Sequence, residues 1–342
     1  MDLQIAVLLG QDGVVNGAIY ALLALALVLV FSVTRVIFVP QGEFVAIGAL
    51  SMATLQAGRA PGTLWLLAVL TPLTVGAELW RGWRGFPTNW VPTLLWAALL
   101  PALAAAMALV IQPTSHAAQV LTTLLLITPL GPMIYRLAFR PLAHASVLTL
   151  LIVAVALHGV LVGLGLYFFG AEGSRTAAFW EARLSAWGVP LHGQSLVVVG
   201  VTVLLSAGLF GFFEYSIVGK ALRATAINRT GARLMGIPAD LAGDLSFALA
   251  ALIGGVSGLL IAPLTTIYYD TGFIIGLKGF VAAILGGLAS YPLAMAGALL
   301  VGLLESFSAF WASALKEVIV FTLILPVLLW RSLRSRHVEE DE

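Results

Sequence analysis

The chain has 342 residues, of which 61% are hydrophobic and 10% are charged, and its net charge is +1 at pH 7. A soluble domain averages about 25% charged residues, so this composition excludes an ordinary soluble protein and indicates a polytopic membrane protein. The small net charge argues against nucleic-acid binding, and the absence of cysteine excludes disulfides and thiolate metal sites.

Apolar segments long enough to cross a membrane recur along the whole chain. A span needs about 20 apolar residues, or fewer where the segment is re-entrant. The candidates, in chain order, are 14–33, 36–55, 63–80, 91–111, 119–135, 147–169, 194–213, 245–262, 273–289, 293–312 and 316–330. Because 36–55 and 273–289 are glycine-rich or carry charge, we predict roughly 9–11 spans, some of them re-entrant. The predicted fold is an all-α transmembrane helical bundle that forms one domain over residues 1–342.

Basic residues between the spans set the predicted orientation. Four basic clusters are separated from one another by even numbers of candidate spans: Arg81 and Arg84; Arg136 and Arg140; the loop 219–238; and Arg331, Arg334 and Arg336. The positive-inside rule assigns all four clusters to the cytoplasm. The N-terminus is then predicted outside the membrane and the C-terminus inside.

The predicted outer loop 170–193 carries apolar side chains at helical spacing, namely Trp180, Leu184 and Trp187. This spacing favours a helix lying flat in the headgroup layer. A structured surface loop with tryptophans at the interface is the alternative.

The loop 219–238 is the one long polar interval in the second half of the chain, and its sequence is GKALRATAINRTGARLMGIP. Thr230 is predicted to cap a short helix, Gly236 to end it in a left-handed turn, and Pro238 to prevent its resumption. Such a helix is far shorter than the roughly 12 to 15 residues that an isolated helix needs. Its own flanks or a partner protein must therefore hold it.

Glu43 is one of the few charges within the candidate spans, and it follows Pro40, Gln41 and Gly42. A helix is expected to break at this proline and glycine, and a charge at bilayer depth costs at least a few kcal/mol unless it is paired or hydrated. The freed backbone and the carboxylate are predicted to face one aqueous cavity. Gln41, Gly42 and Glu43 are therefore candidates for a translocation path.

The other polar residues within spans are predicted to be structural. Lys278 and Glu305 are expected to pair with each other or with carbonyl groups, and His158 to be a hydrogen-bonded bundle residue. Gly254 and Gly258 form a GxxxG pair, which lets membrane helices approach closely.

Catalytic motifs are absent from the sequence. There is no HExxH, no G-x-S-x-G and no G-x-x-x-x-G-K-[ST], the phosphate-binding loop. The protein is predicted not to be an enzyme and to need no cofactor or metal. If ATP drives it, another subunit binds the nucleotide.

Several stretches together resemble one family. Residues 219–224 read GKALRA and residues 232–237 read ARLMGI. They resemble the cytoplasmic loop of permease subunits of ABC importers for branched-chain amino acids, which runs approximately G-R-A-L-R-A, a short spacer, then A-A-R-L-M-G-I. Further matches follow the family's order along nearly the full length: Asn16-Gly17, Tyr20-Ala21-Leu22, Arg35-Val36-Ile37, Tyr135-Arg136, Phe139-Arg140-Pro141-Leu142, 276–280 (GLKGF), 285–288 (LGGL) and 302–306 (GLLES).

The resemblance implies a non-catalytic transmembrane subunit of an ATP-driven importer in a bacterial inner membrane. It implies as partners the ABC ATPase subunits, a second homologous permease, an extracytoplasmic or periplasmic solute-binding protein and a small amino-acid substrate. In the family, a short loop helix sits in a groove of the ATPase. The coupling residues that the resemblance implies here are Lys220, Arg223, Thr230, Ala232, Arg233, Leu234, Met235 and Gly236.

Departures from the family pattern leave the solute open. Thr230 and Gly231 stand where broader ABC importers have the Glu and first Ala of E-A-A-x-x-x-G, and residues 37–43 read IFVPQGE in place of I-N-F-A-H-G-E. A permease for urea, amides or sugars is therefore an alternative. So is a self-sufficient secondary transporter coupled to ions by Glu43 or Glu305. A membrane enzyme is disfavoured by the missing catalytic motifs.

Overall fold

The computed structural model describes residues 3–86, 88–186 and 189–334. Helices account for most of this part of the chain, and the strands β1 (Arg183–Ala186) and β2 (Val189–His192) form one small hairpin. In chain order the helices are α1 (Leu3–Thr34), α2 (Gln41–Gln56), α3 (Thr63–Trp83), α4 (Trp90–Ile111), α5 (His116–Leu142), α6 (Val147–Phe169), α7 (Gly193–Tyr215), α8 (Ile217–Ile227), α9 (Arg229–Leu234), α10 (Ala239–Ile261), α11 (Thr271–Leu285), α12 (Tyr291–Trp311), α13 (Lys316–Thr322) and α14 (Ile324–Arg334).

Eight of the helices in the described ranges are long and apolar enough to cross a membrane: α1, α3, α4, α5, α6, α7, α10 and α12. The all-α polytopic fold predicted from the sequence is confirmed, and every predicted span overlaps a helix. The glycine-rich segments form the short helices α2 and α11. The last predicted span is divided into α13 and α14 at Leu323, because Pro326 has no N–H to donate to the carbonyl of Thr322.

Helix α1 lies at the centre of the bundle. It packs along α12 and also contacts α10, α11 and α7. Its side chains are almost continuously buried from Ala18 to Val30, as expected for a helix that is apolar on all sides. Gly254 and Gly258 of α10 lie against α2, so the GxxxG pair acts in packing as predicted.

The bundle has two chemically different ends. At one, which we call the basic end, Arg81 of α3 and Asp240 of α10 form an ion pair, and Arg229 donates to the carbonyl of Ala143. At the opposite end, Gln56 accepts a hydrogen bond from the backbone of Ala177. The basic end also holds the segment 216–238.

The prediction of a flat helix around Trp180 and Leu184 is wrong. Trp180 lies in irregular backbone and Leu184 in β1, which pairs antiparallel with β2 and places Leu184 opposite Leu191. The backbone of the loop 170–193 also forms hydrogen bonds with a distant segment: the N–H of Ser174 donates to the carbonyl of Ile267 at 2.9 Å. A helix would use these backbone groups internally and could not form the hydrogen bonds between the strands or to Ile267. Trp187 lies outside the described residues.

Candidate functional site

Two short helices begin against each other inside the bundle. α2 starts at Gln41 after the irregular segment 35–40, and α11 starts at Thr271 after the segment 262–270. Their first turns touch through Gly42 and Gly272, so closely that a Cβ on Gly42 would lie 1.9 Å from the Gly272 carbonyl oxygen. Only glycine permits this approach. We call this contact the half-helix junction.

The half-helix junction lies level with the midpoints of two spanning helices. The Nε2 atom of Gln41 donates to the carbonyl of Ala250 at 2.9 Å, and Ala250 is the central residue of α10. The Oε1 atom of Glu43 is 2.9 Å from Nδ1 of His158, the central residue of α6. The N-termini of α2 and α11 therefore meet near mid-membrane depth.

Polar groups converge on the half-helix junction. Gln41 and Glu43 are buried, and the Oε1 atom of Gln41 has no hydrogen-bond partner among the described residues. The His158 ring stacks on Phe273 of α11, with centroids 4.4 Å apart. Free backbone N–H groups at helix N-termini stabilise negative charge. The N–H groups of Glu43 and Phe273 already donate to preceding carbonyls. The junction thus presents to a polar solute the positive ends of two helix dipoles and a carboxylate.

The prediction that Glu43 faces an aqueous cavity is wrong for this conformation, since its side chain is buried and paired with His158. His158 is hydrogen-bonded, as predicted. The two are 115 positions apart in sequence, so no local pattern could have identified the pair.

The predicted pairing of Lys278 with Glu305 is confirmed, with Nζ and Oε1 2.5 Å apart. Tyr20 of α1 donates its hydroxyl to Glu305 Oε2, also at 2.5 Å. All three side chains are buried. The cluster joins α1, α11 and α12 and gives both buried charges a partner.

The loop 219–238 is built from α8, α9 and the turn that follows. The Ser216 hydroxyl caps α8 by accepting from the N–H of Gly219 at 2.8 Å. The prediction that Thr230 caps the short helix is wrong. Asn228 is the cap: its backbone is extended and its Oδ1 accepts from the N–H of Gly231 at 2.8 Å, so α9 begins at Arg229.

The end of α9 follows the prediction, since Gly236 has φ of +84° and ends the helix in a left-handed turn. Ala232 faces inward, whereas Leu234 and Met235 are each 84% exposed. Lys220, Arg223 and Arg233 are also exposed. The loop therefore exposes both cations and two large apolar side chains.

A buried ion-pair network lies beneath the loop, and sequence reasoning missed its acidic members. Arg136 binds Asp244 through two nitrogens, with the shortest distance 2.5 Å. Arg140 binds Glu78 at 2.8 Å and Asp240 at 2.5 Å. The signal was available: Arg136 and Arg140 are four residues apart, as are Asp240 and Asp244, which places each pair on one side of its helix. A cavity of ≈ 470 Å³ separates this network from Arg233.

A bundle of apolar spanning helices, half-helices that meet at mid-depth and a helical polar loop at one end are features of a membrane transport subunit. The sequence profile of the family described as "Branched-chain amino acid transport system / permease component" matches residues 11–328. The chain therefore belongs to this family. It is a multi-pass membrane permease component of an ABC transport system.

Curated relatives agree with this membership. The high-affinity branched-chain amino acid transport system permease protein LivH of Escherichia coli K12 is 29% identical over 93% of this chain and 91% of its own length. The corresponding protein BraD of Pseudomonas aeruginosa is 31% identical over 67% of this chain and 77% of its own length. A probable branched-chain amino acid transport permease protein LivH of Methanocaldococcus jannaschii is 32% identical over 52% of this chain and 58% of its own length. No solved structure matches the chain.

Proposed function

We propose that the chain, as one permease domain over residues 1–342, is the membrane subunit of an ATP-driven importer for branched-chain amino acids. The observation that carries this proposal is the tip of the loop 219–238. There a six-residue helix and the turn after it present Leu234 and Met235 to solvent, at an end of the bundle that also exposes Lys220 and Arg233. Exposed apolar side chains with a polar rim mark a protein interface. The partner is the ATPase, and the coupling residues are those matched to the family.

The remaining partners follow from the family. They are a second homologous permease, two ATPase subunits and an extracytoplasmic solute-binding protein. The basic end faces the cytoplasm, so the N-terminus lies outside and the C-terminus inside. ATP is hydrolysed on the separate subunits.

Packing supplies a mechanical route from the loop to the half-helix junction. Leu222 of α8 is buried in a cluster with Leu29 and Val33 of α1 and Phe213 of α7. Helix α1 in turn packs on α11, where Gly279 lies against Leu23. Because packed cores have discrete arrangements, displacement of α8 by the closing ATPase is passed through α1 to α11.

The half-helix junction is the proposed translocation path, formed by Gln41, Gly42 and Glu43. A zwitterionic amino acid carries a carboxylate, which suits the N-termini of α2 and α11, and an ammonium group, which suits Glu43. In the described conformation Gly42 and Gly272 close the junction, so transport requires α2 and α11 to separate.

The coupling assignment is tested by two substitutions at one position. Gly236→Val penalises the left-handed turn by roughly 1–2 kcal/mol, whereas Gly236→Asn tolerates it. Both variants should insert in the membrane. We expect the Val variant to lose stimulation of ATPase activity by loaded binding protein and the Asn variant to retain it. Normal coupling in the Val variant would show that the loop is not the ATPase contact.

The orientation is tested by cysteine labelling, since the natural chain has no cysteine. Thr230→Cys lies on the loop at the basic end and Arg59→Cys at the opposite end, and both side chains are exposed. An impermeant maleimide added outside intact cells should label position 59 and not position 230. The reverse pattern refutes the orientation.

The substrate is tested with complexes reconstituted in vesicles and supplied in parallel with labelled leucine, urea and ribose. We expect ATP-dependent uptake of leucine alone. Uptake of urea or ribose, with no uptake of leucine, would refute the proposed substrate but not the proposed importer function. Uptake that continues without ATP and collapses with an ion gradient would instead identify a secondary transporter.

A further inference from the structure

A second large cavity lies at the basic end, away from the half-helix junction. Its volume is ≈ 720 Å³, and it is bounded by the last turns of α1, by α7, by α8 and by the turn between α11 and α12. Its walls are mostly apolar side chains, among them Leu25, Leu209, Phe213 and Met295. Cavities of roughly 300–1,000 Å³ with apolar walls and a few polar groups are typical small-molecule sites.

The few polar groups of this cavity favour an anion. Arg35 is exposed at its edge and forms no ion pair among the described residues; its guanidinium lies 5.9 Å from the Phe31 ring centroid. Arg223 also lines the cavity and shares its charge with Glu214 at 3.0 Å. On the wall formed by α7, the Ser206 hydroxyl is buried and has no hydrogen-bond partner within the described ranges.

Backbone strain is concentrated at the same cavity. Three non-glycine residues in the described ranges have positive φ, and two of them, Arg35 at +62° and Leu288 at +55°, line it. Glycine would adopt this conformation without cost, whereas residues that carry a side chain are strained in it. Residues held in sparsely populated backbone regions cluster at ligand sites.

We propose that this cavity binds one anionic phospholipid from the leaflet at the basic end. An acyl chain lies between α1 and α7, and the phosphate lies against Arg35. Basic pockets between membrane helices bind anionic lipid head groups in this way. An amphiphile matches apolar walls with a cationic edge, whereas a free amino acid leaves most of the apolar wall uncovered.

A bound lipid would touch the loop 219–238 directly, because Leu222 and Ala226 of α8 form part of the cavity wall. Its presence would hold α8 in place against α1. This regulatory consequence rests on the proposed coupling function, but lipid binding itself does not.

The test measures phospholipid retained by the purified full-length chain after detergent exchange, using native mass spectrometry. The probe is phosphatidylglycerol, with zwitterionic phosphatidylcholine as the reference. We expect one retained phosphatidylglycerol per chain. Removing one arginine from an anionic surface weakens binding about fivefold. Arg35→Asn should therefore retain about fivefold less phosphatidylglycerol, while Arg35→Lys should retain it.

Matched controls distinguish loss of the lipid site from a general change in charge and from misfolding. Asn tolerates the left-handed backbone, so Arg35→Asn should fold as well as the natural chain. Arg59→Asn removes an exposed arginine at the opposite end and should leave retention unchanged. Ser206→Phe narrows the cavity beside the buried hydroxyl and should lower retention of phosphatidylglycerol.

Equal retention of the two lipids, or equal loss with Arg35→Asn and Arg59→Asn, would overturn the proposal. So would displacement of the lipid by leucine, which would place the cavity on the solute path. Loss of the lipid when the complete transporter assembles would show that a partner subunit occupies the cavity instead. A lipid site that holds while leucine uptake fails would leave this inference standing and remove only the proposed function.

Discussion

Replacing Gly42 by alanine should force the half-helix junction apart. The added Cβ would lie 1.9 Å from the Gly272 carbonyl oxygen and 3.0 Å from the Gly276 Cα. Ordinary contact begins at 3.4 Å, so α2 and α11 must separate by about 1.5 Å. The obstructing atoms are backbone, which cannot rotate away. Overpacking of this kind costs about 1–3 kcal/mol.

The measurement is the free energy of unfolding in detergent, followed by uptake in reconstituted vesicles. Gly200→Ala is the matched control, because nothing lies within 4 Å of its Cβ position. In an open helical position the change from glycine to alanine should raise the free energy of unfolding by about 0.5–1 kcal/mol. Gly272→Ala should resemble Gly42→Ala, since its Cβ would lie 2.3 Å from the Gly42 carbonyl oxygen. Equal stability of the position-42 and position-200 variants would refute the close contact.

Three further substitutions test the polar groups. Lys278→Met leaves Glu305 buried and unpaired, so it should cost about 3–5 kcal/mol of unfolding free energy, and adding Glu305→Leu should recover most of it; equal stability of the single and double variants would contradict this. Asn228→Ala should destabilise α9 by about 1 kcal/mol and increase amide exchange in the loop, whereas Thr230→Ala should leave exchange unchanged. Glu43→Gln should slow leucine uptake without altering affinity for the binding protein; unchanged uptake would remove Glu43 from the path.

The sequence was sufficient to predict features with local causes. Apolar runs of span length gave the helices, because a bilayer requires every backbone group in the span to be satisfied internally. Gly236 was predictable as the end of α9, since a left-handed residue there favours glycine. The pairing of Lys278 with Glu305 was predictable in kind, because two isolated charges in apolar spans need partners.

Features that depend on distant segments were not predictable. Glu43 meets His158 across 115 positions, and no local pattern connects the two. The spacing of Arg136 and Asp244 within their own helices was visible, but the contact between them spans 108 positions. The error at Thr230 had a different origin. Asn228, two positions earlier, belongs to a residue type that caps helices at least as well as threonine, and only the backbone shows that α9 begins at Arg229. The half-helix junction likewise needed the structure. The chain has 35 glycines, and nothing in the sequence indicates which two of them are in contact.

The central position of α1 determines the order in which the molecule can assemble during synthesis. α1 enters the membrane long before α12, yet its most extensive packing is on α12. The hydroxyl of Tyr20 bonds to a carboxylate that is synthesised 285 residues later. Until residues near 306 have been inserted, the ribosome holds a chain whose first helix lacks its main neighbour. We therefore expect lipid or an insertion factor to shield α1 until α12 is inserted, and chains arrested before α12 to be preferred substrates of membrane proteases.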